Sequence, residues 1–246
     1  MKPTPCPALR TARDGRSTLA TVCCALAFTL AACGNQPPAP DWALKAESAA
    51  ERATQAYLRG DQRVQALEWD KARSEVERTA SPQRLARLAL MRCAVEQASL
   101  DWKGCADFTA VAVDAEPGEQ AYARYLQALP LSGDEIARLP PAQQPVARAL
   151  QAAAAHEGVA ALESMESPLS RLVAAGVVLR ARGPSEALLA EAVQTASSQG
   201  WRRPLLAWLL LSVEQARQAG KVDLAEALQR RVRVLEGQSL APERQR

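Results

Sequence analysis

Aromatic side chains are scarce in this chain: two Phe, three Tyr and five Trp make up only 4% of it. β-Branched residues are thin as well, so the material for a strand-rich fold is missing. Histidine occurs once, at His156, with no second His or Cys at ligand spacing. That removes a paired-histidine zinc site and leaves any Ser-His-acid triad dependent on one residue. There is no Gly-x-Ser-x-Gly elbow, no glycine-rich phosphate loop and no Cys-x-x-Cys pair. His156 sits between an alanine run and Glu157-Gly158, where a surface or capping histidine is the ordinary reading and a general base or ligand the special one.

An excess of one charge is also missing, although the whole chain carries a formal +3. Lys2, Arg10, Arg13 and Arg16, with Asp14 as the one acid, all precede an uncharged stretch from Thr18 to Ala32. Without residues 1–32, the 30 basic and 27 acidic residues become 26 of each. A neutral surface with no long run of one sign argues against nucleic acid as a partner. It gives no polybasic reason to lie on a membrane either.

The uncharged stretch is about 15 residues, the upper end of a signal-peptide core and short of the roughly 20 that span a bilayer as a helix. It closes on Leu30-Ala31-Ala32-Cys33. This resembles the lipobox of bacterial lipoprotein precursors, in which small residues fit the peptidase and the cysteine thiol receives the lipid. The resemblance implies a signal peptide over 1–32, cleavage before Cys33, and a palmitate-bearing lipid at Cys33 that anchors the protein to a membrane. Gly34 follows the cysteine where inner-membrane retention uses Asp, which implies an outer-membrane anchor facing the periplasm. Residues 34–40, with three prolines and nothing apolar larger than Ala or Pro, read as an extended tether.

Three cysteines (Cys6, Cys23 and Cys24) fall within the leader. Beyond Cys33 only Cys93 and Cys105 remain, an even pair able to bridge in an oxidising compartment. Closing a loop of about 12 residues would contribute on the order of 2–3 kcal/mol.

What is present is a helix-forming composition dominated by Ala, Leu, Arg, Gln and Glu. Apolar residues recur at helical spacing, interrupted by Gly and Pro, and predict an all-α fold. Expected helices cover 41–59, 62–79, 81–100, 103–115, 119–129, 134–139, 146–155, 158–165, 167–182, 185–198, 201–219 and 222–235, all within a domain at 41–237. A polar tail, 238–246, follows. Short Gly or Pro turns between such helices predict antiparallel hairpins. Leu205, Leu206, Leu209, Leu210 and Leu211 surround Trp208 and predict that the helix at 201–219 is buried nearly all round, at the centre of the C-terminal core.

Ser167 and Trp201, which open successive hairpins, are 34 residues apart, the period of tetratricopeptide units. The stretch 86–119 resembles one such repeat. Asp101-Trp102 stands at the inter-helix turn, Cys105 at the small position of the second helix, and Phe108, Ala112 and Pro117 at its aromatic, small and terminating positions. Cys93 falls at the small position of the first helix. The resemblance implies a stack of hairpins forming a tetratricopeptide-like superhelix. It also implies that Cys93 and Cys105 face each other at roughly the 5.5–6 Å Cα separation of a disulfide. Tyr57-Leu58-Arg59-Gly60-Asp61 with Ala66, and Ala219-Gly220 with Ala225, match the turn and small position only.

Two function classes follow. The first is a non-catalytic protein-interaction scaffold, with no cofactor, no metal and no catalytic residue, that binds an envelope protein or peptide in a groove. Trp201-Arg202-Arg203 is its candidate contact spot, an aromatic–basic cluster suited to an acidic or aromatic peptide. Gap-filling between alanine-rich helices is the ordinary reading of Trp42, Trp69, Trp102, Trp201 and Trp208, and the contact spot the special one. The second is a cell-wall glycan enzyme using a carboxylate pair such as Glu75/Glu77 or Glu163/Glu166, residues that ordinarily form the solvated face of a helix. Replacing Cys33 with Ala should abolish incorporation of labelled palmitate in cells. Continued labelling of the variant would sink the lipobox assignment.

Overall fold

The computed structural model describes residues 39–102, 104–152 and 155–237. The expected leader, the expected lipidation site Cys33 and the expected tail at 238–246 lie outside them. The described residues fold entirely into helices and turns, with no strand. No described helix is long and apolar enough to cross a membrane.

Twelve α-helices occur among the described residues. The first three are α1 (Asp41–Arg59), α2 (Gln62–Glu77) and α3 (Pro82–Gln97). A single turn, α4 (Ala106–Thr109), and a 3-10 turn (Ala112–Asp114) lead to α5 (Pro117–Leu126). The short α6 (Gly133–Arg138) and a second 3-10 turn (Pro141–Gln143) precede α7 (Gln144–Gln151) and α8 (Ala155–Glu163). The last four are α9 (Pro168–Arg182), α10 (Glu186–Ser198), α11 (Arg202–Gln218) and α12 (Val222–Leu235).

Local chemistry sets the starts. The side chains of Asp61, Ser81, Ser167 and Ser185 each accept a hydrogen bond from the backbone N–H three residues on, covering a donor the first turn leaves open. Ser132 and Glu135 complete a reciprocal capping box on α6. Three helices stop two or three residues before the apolar pattern does. At Ala80, Leu100 and Ala128 the chain turns through positive φ of 49°, 59° and 56°, so the preceding residues form a C-terminal turn rather than another helical one.

Consecutive helices pair as hairpins: α1 with α2, α9 with α10, α10 with α11, and α11 with α12. Two further contacts join parts distant in sequence. α3 packs on α9, and α1 packs on α11. The second is fixed by Arg203, whose Nε donates to the Tyr57 carbonyl oxygen at 2.9 Å and whose guanidinium lies 4.2 Å from the Tyr57 ring centre. Trp208, wholly buried, donates its indole N–H to the Ala98 carbonyl oxygen at 3.1 Å.

Two expectations need correction. The helix buried all round is α9, not the helix at 201–219. Leu172 through Leu179 are buried without a break, whereas Leu210 on α11 stays 47% exposed. α9 is sandwiched by α3, α5, α7, α8 and α10; α11 has hairpin partners on fewer sides. The single helix expected at 103–115 is also absent. Only Ala106–Thr109 is α-helical, and Val111 sits at φ −123° and ψ 10°, off helical geometry, before the 3-10 turn. Cys105 at the N-cap provides no side-chain bond to the first turn, and Thr109 spends its hydroxyl on the Cys105 carbonyl. A four-residue piece so poorly capped has little to propagate from.

The α3–α9 crossing is tight at Gly176. A Cβ there would stand 2.8 Å from the Gln97 carbonyl oxygen and 3.1 Å from the Gln97 side-chain nitrogen. Ala for Gly within a helix gains about 1 kcal/mol of propensity, but overpacking against backbone costs about 1–3 kcal/mol. Gly176→Ala should therefore lower the urea midpoint at unchanged slope, and Gly176→Val should lower it further. A midpoint that rises in the Ala variant would refute the close crossing.

Candidate functional site

Of the residues singled out from sequence, Cys93 and Cys105 come together: they are joined as a disulfide with Cα atoms 5.5 Å apart. Cys93 lies on α3 and Cys105 at the start of α4. His156 lies on α8. Glu75 and Glu77 reach the neighbouring Arg78 and Arg73, each at 2.9 Å, while Glu163 and Glu166 point to solvent.

Trp201, Arg202 and Arg203 are engaged within the fold. Trp201 is half-buried against the cluster of Tyr57, Leu58 and Val95. Arg202 donates to the Leu235 carbonyl oxygen at 3.3 Å, and Arg203 holds Tyr57 as described. Burial of the Tyr57 phenol pushes its pKa up to about 12, so the ring stays neutral beneath the guanidinium. The other tryptophans divide. Trp69 is buried between α2 and its neighbours, Trp42 stacks under Arg84, and the more exposed Trp102 lies beside Arg180.

A concavity of about 650 Å³ lies elsewhere, between α3, α5 and the start of α9. That falls within the usual range for small-ligand or side-chain pockets, roughly 300–1,000 Å³. α3 supplies its floor from one face: Leu90, Met91, Ala94 and Val95, with Arg87 at the rim. Residues at those spacings share one side of a helix. α5 adds Tyr122, α9 adds Leu169 and Val173, and Leu139 with Pro140 and Pro141 forms the far lip. Met91 is 42% exposed there.

Buried polar contacts hold the walls. Gln143 accepts a hydrogen bond from the Tyr125 hydroxyl at 2.8 Å and donates to the Ser170 carbonyl oxygen at 3.0 Å. One amide thus ties the proline lip to both α5 and α9. On the opposite rim Arg87 donates twice to one oxygen of Glu119, at 2.9 and 2.7 Å, and its guanidinium lies 3.6 Å from Glu116. Both carboxylates therefore sit on one wall, at the start of α5, neutralised by the same arginine. An acid and a base working on a glycosidic bond must instead face each other across it. Burial raises the Tyr122 phenol pKa, so Tyr122 presents a neutral ring and hydroxyl. Among the described residues no group of three or more His, Cys, Asp or Glu is placed to hold a metal ion.

A second groove of about 440 Å³ runs between α10 and α12 over a floor of Ser212 and Ala216 on α11 and Ala219 just past its end. It is crossed at one end by the Lys221–Glu186 ion pair at 2.7 Å. No protein-family model, curated protein or solved structure matches this chain.

The main cleft was visible in sequence only as an excess. The apolar residues of α3 occupy 85, 88, 90, 91, 93 and 95, more than one helical face. Leu90, Ala94 and Val95 of the cleft floor belong to the buried face, and Met91 beside them is the apolar residue left half-open. Arg203 is the sequence-derived candidate with the largest part in the fold. Arg203→Ala should destabilise the domain by about 1–3 kcal/mol through loss of a charged hydrogen bond and a cation–π contact, and Arg203→Lys should recover only part of it. Thermal and urea unfolding of both variants would measure this; wild-type stability in the Ala variant would refute the clamp.

Proposed function

We propose that this chain is a lipid-anchored, periplasm-facing scaffold of the cell envelope, without catalytic function, whose helical domain docks a polypeptide partner in the α3–α5–α9 cleft. The anchor in this reading is Cys33, in the outer membrane, with residues 34–40 as tether. The observation that carries the docking role is the cleft itself: an apolar floor of side-chain size, half-open at Met91, framed by an ion pair and a proline lip. Apolar anchors of a partner gain most from such a pocket, while paired rim charges add little affinity of their own.

The same reading takes the domain as a tetratricopeptide-like series of hairpins. The spacing of 34 residues between Ser167 and Trp201, and the hairpins formed by α9–α10 and α11–α12, support it. The contacts of α1 with α11 and of α3 with α9 set it apart from an open array in which each repeat touches only its neighbours. A neutral surface fits recognition by shape and apolar contact better than by charge.

Site-specific photocrosslinking in the native envelope tests the proposal. A photoreactive residue at Met91 should capture a discrete polypeptide, one at the exposed Asp223 on α12 should not, and Leu169→Asp in the cleft should abolish the Met91 product. Equal capture at both positions, or capture indifferent to Leu169→Asp, would overturn the assignment.

A further inference from the structure

We infer that the Cys93–Cys105 disulfide is a redox-addressable latch. It holds residues 104–116 against α3, and its reduction releases that segment while the rest of the core, with Ala98 under Trp208, stays folded. Residues 104–116 have few strong fastenings besides the bond. α4 has four residues and no side-chain cap at Cys105, far below the length at which a helix supports itself. Phe108 is its one large buried side chain; Ala115 is buried but small, and Val111 and Ala112 pack against the core only in part. The Arg92–Asp107 ion pair at 3.1 Å joins it to α3, but both partners are more than 40% exposed, and such pairs contribute little. Val113, in the 3-10 turn, is 90% exposed. At the near end Trp102, beside Arg180 at 5.4 Å, is itself 41% exposed.

The bond is placed where chemistry can reach it. Both cysteines are only partly buried, unlike the wholly buried core of α9 and α11. The core's own fastenings, Gly176 against Gln97, Trp208 on Ala98 and Arg203 on Tyr57, involve neither sulfur. The released segment also has an alternative conformation available. Phe108, Val111, Ala112 and Ala115 follow helical spacing, so residues 104–115 carry the pattern of a longer helix than the Ala106–Thr109 turn they form while Cys105 is tied down.

The reductant required is a dithiol, as in a thiol–disulfide oxidoreductase. Its thiolate attacks one sulfur of the pair, the S–S bond breaks, and the other sulfur leaves as a thiolate that takes up a proton. The second thiol of the donor then attacks the mixed disulfide and frees the remaining cysteine. Two electrons pass to the protein, and the donor ends as a disulfide. Because the segment runs directly into Glu116 and Gly118, which line the cleft, release would loosen the α5 wall. That consequence alone rests on the docking role proposed above.

Hydrogen-exchange mass spectrometry on the full mature chain tests the latch without any ligand, so its outcome is separate from that of the docking role. Samples are the oxidised protein, the protein treated with excess dithiothreitol under native conditions, the re-oxidised protein, and the Cys93→Ser/Cys105→Ser double variant. Reduction should accelerate exchange over 104–116 by about tenfold or more, reversibly. The double variant should match the reduced protein, and α9–α11 should be unchanged in both. Unchanged exchange over 104–116, a bond that resists native reduction, or acceleration across the whole domain would each overturn the inference, the last by making the bond a global staple.

Discussion

The structure depends on the C-terminal end of α3, where three other helices converge within a few residues. α9 crosses there closely enough that only Gly176 fits beneath the Gln97 backbone. α11 sends the Trp208 indole to the Ala98 carbonyl, and α1 brings Tyr57 and Leu58 against Val95. A helix end normally leaves carbonyls that water must satisfy. Here one of them is buried, and its donor comes from a residue 110 positions away. Trp208 contributes roughly 4–6 kcal/mol of apolar burial as an upper bound, from an area of about 150–250 Å². That gain is realised only if the indole N–H finds an acceptor, so the Ala98 carbonyl and Trp208 require each other. The position of α11, and through Arg203 that of α1, follows from this pairing.

Small residues make the convergence possible. α1 buries Ala46, Ala49, Ala50, Ala53 and Ala56, and α9 buries Ala174, Ala175 and Gly176 in succession. Such faces let backbones approach but bury little area per residue, so a few large side chains carry a disproportionate share of the stabilisation: Trp208, Tyr125, Leu126 and Leu172. Arginine then works largely as a strut rather than as surface charge. Arg203 binds the Tyr57 carbonyl, Arg182 the Leu150 carbonyl, and Arg171 both the Met165 carbonyl and Glu191. A neutral chain rich in arginine is consistent with guanidinium groups used to cap carbonyls and balance nearby carboxylates.

Helices, caps and hairpin turns were legible in the sequence because their causes are local. Ser81-Pro82 and Ser167-Pro168 start helices by hydrogen bonds three residues long, and apolar spacing marks the faces that pack. Long-range consequences were not legible. The leucines around Trp208 suggested a central α11, but residues such as Leu210 remain at the surface because α11 lacks the neighbours that enclose α9. The closure of α1 onto α11 rests on Arg203, which by sequence alone was an exposed basic residue beside a tryptophan. The break inside 103–115 ran against a regular apolar pattern. Of the candidate site, the apolar surplus on α3 was readable, whereas its meeting with Tyr122, Leu169 and the proline lip required the α3–α9 crossing, which hinges on one glycine.

α3 consequently serves two purposes on two faces. Successive residues of a helix are rotated by about 100°, so Arg87, Met91 and Val95 share the cleft side while Cys93 points well away from it toward the segment that returns the chain to α5. The cleft floor and the disulfide are thus parts of one rigid rod, clamped at its C-terminal end by Gly176 and Trp208. Only the α5 wall reaches the cleft through a weakly built connection. In the proposed docking role a partner would meet a floor set by the core and an α5 wall held by the Arg87–Glu119 pair and the Tyr125–Gln143 bond, with the Cys93–Cys105 latch acting on the connection that leads into that wall.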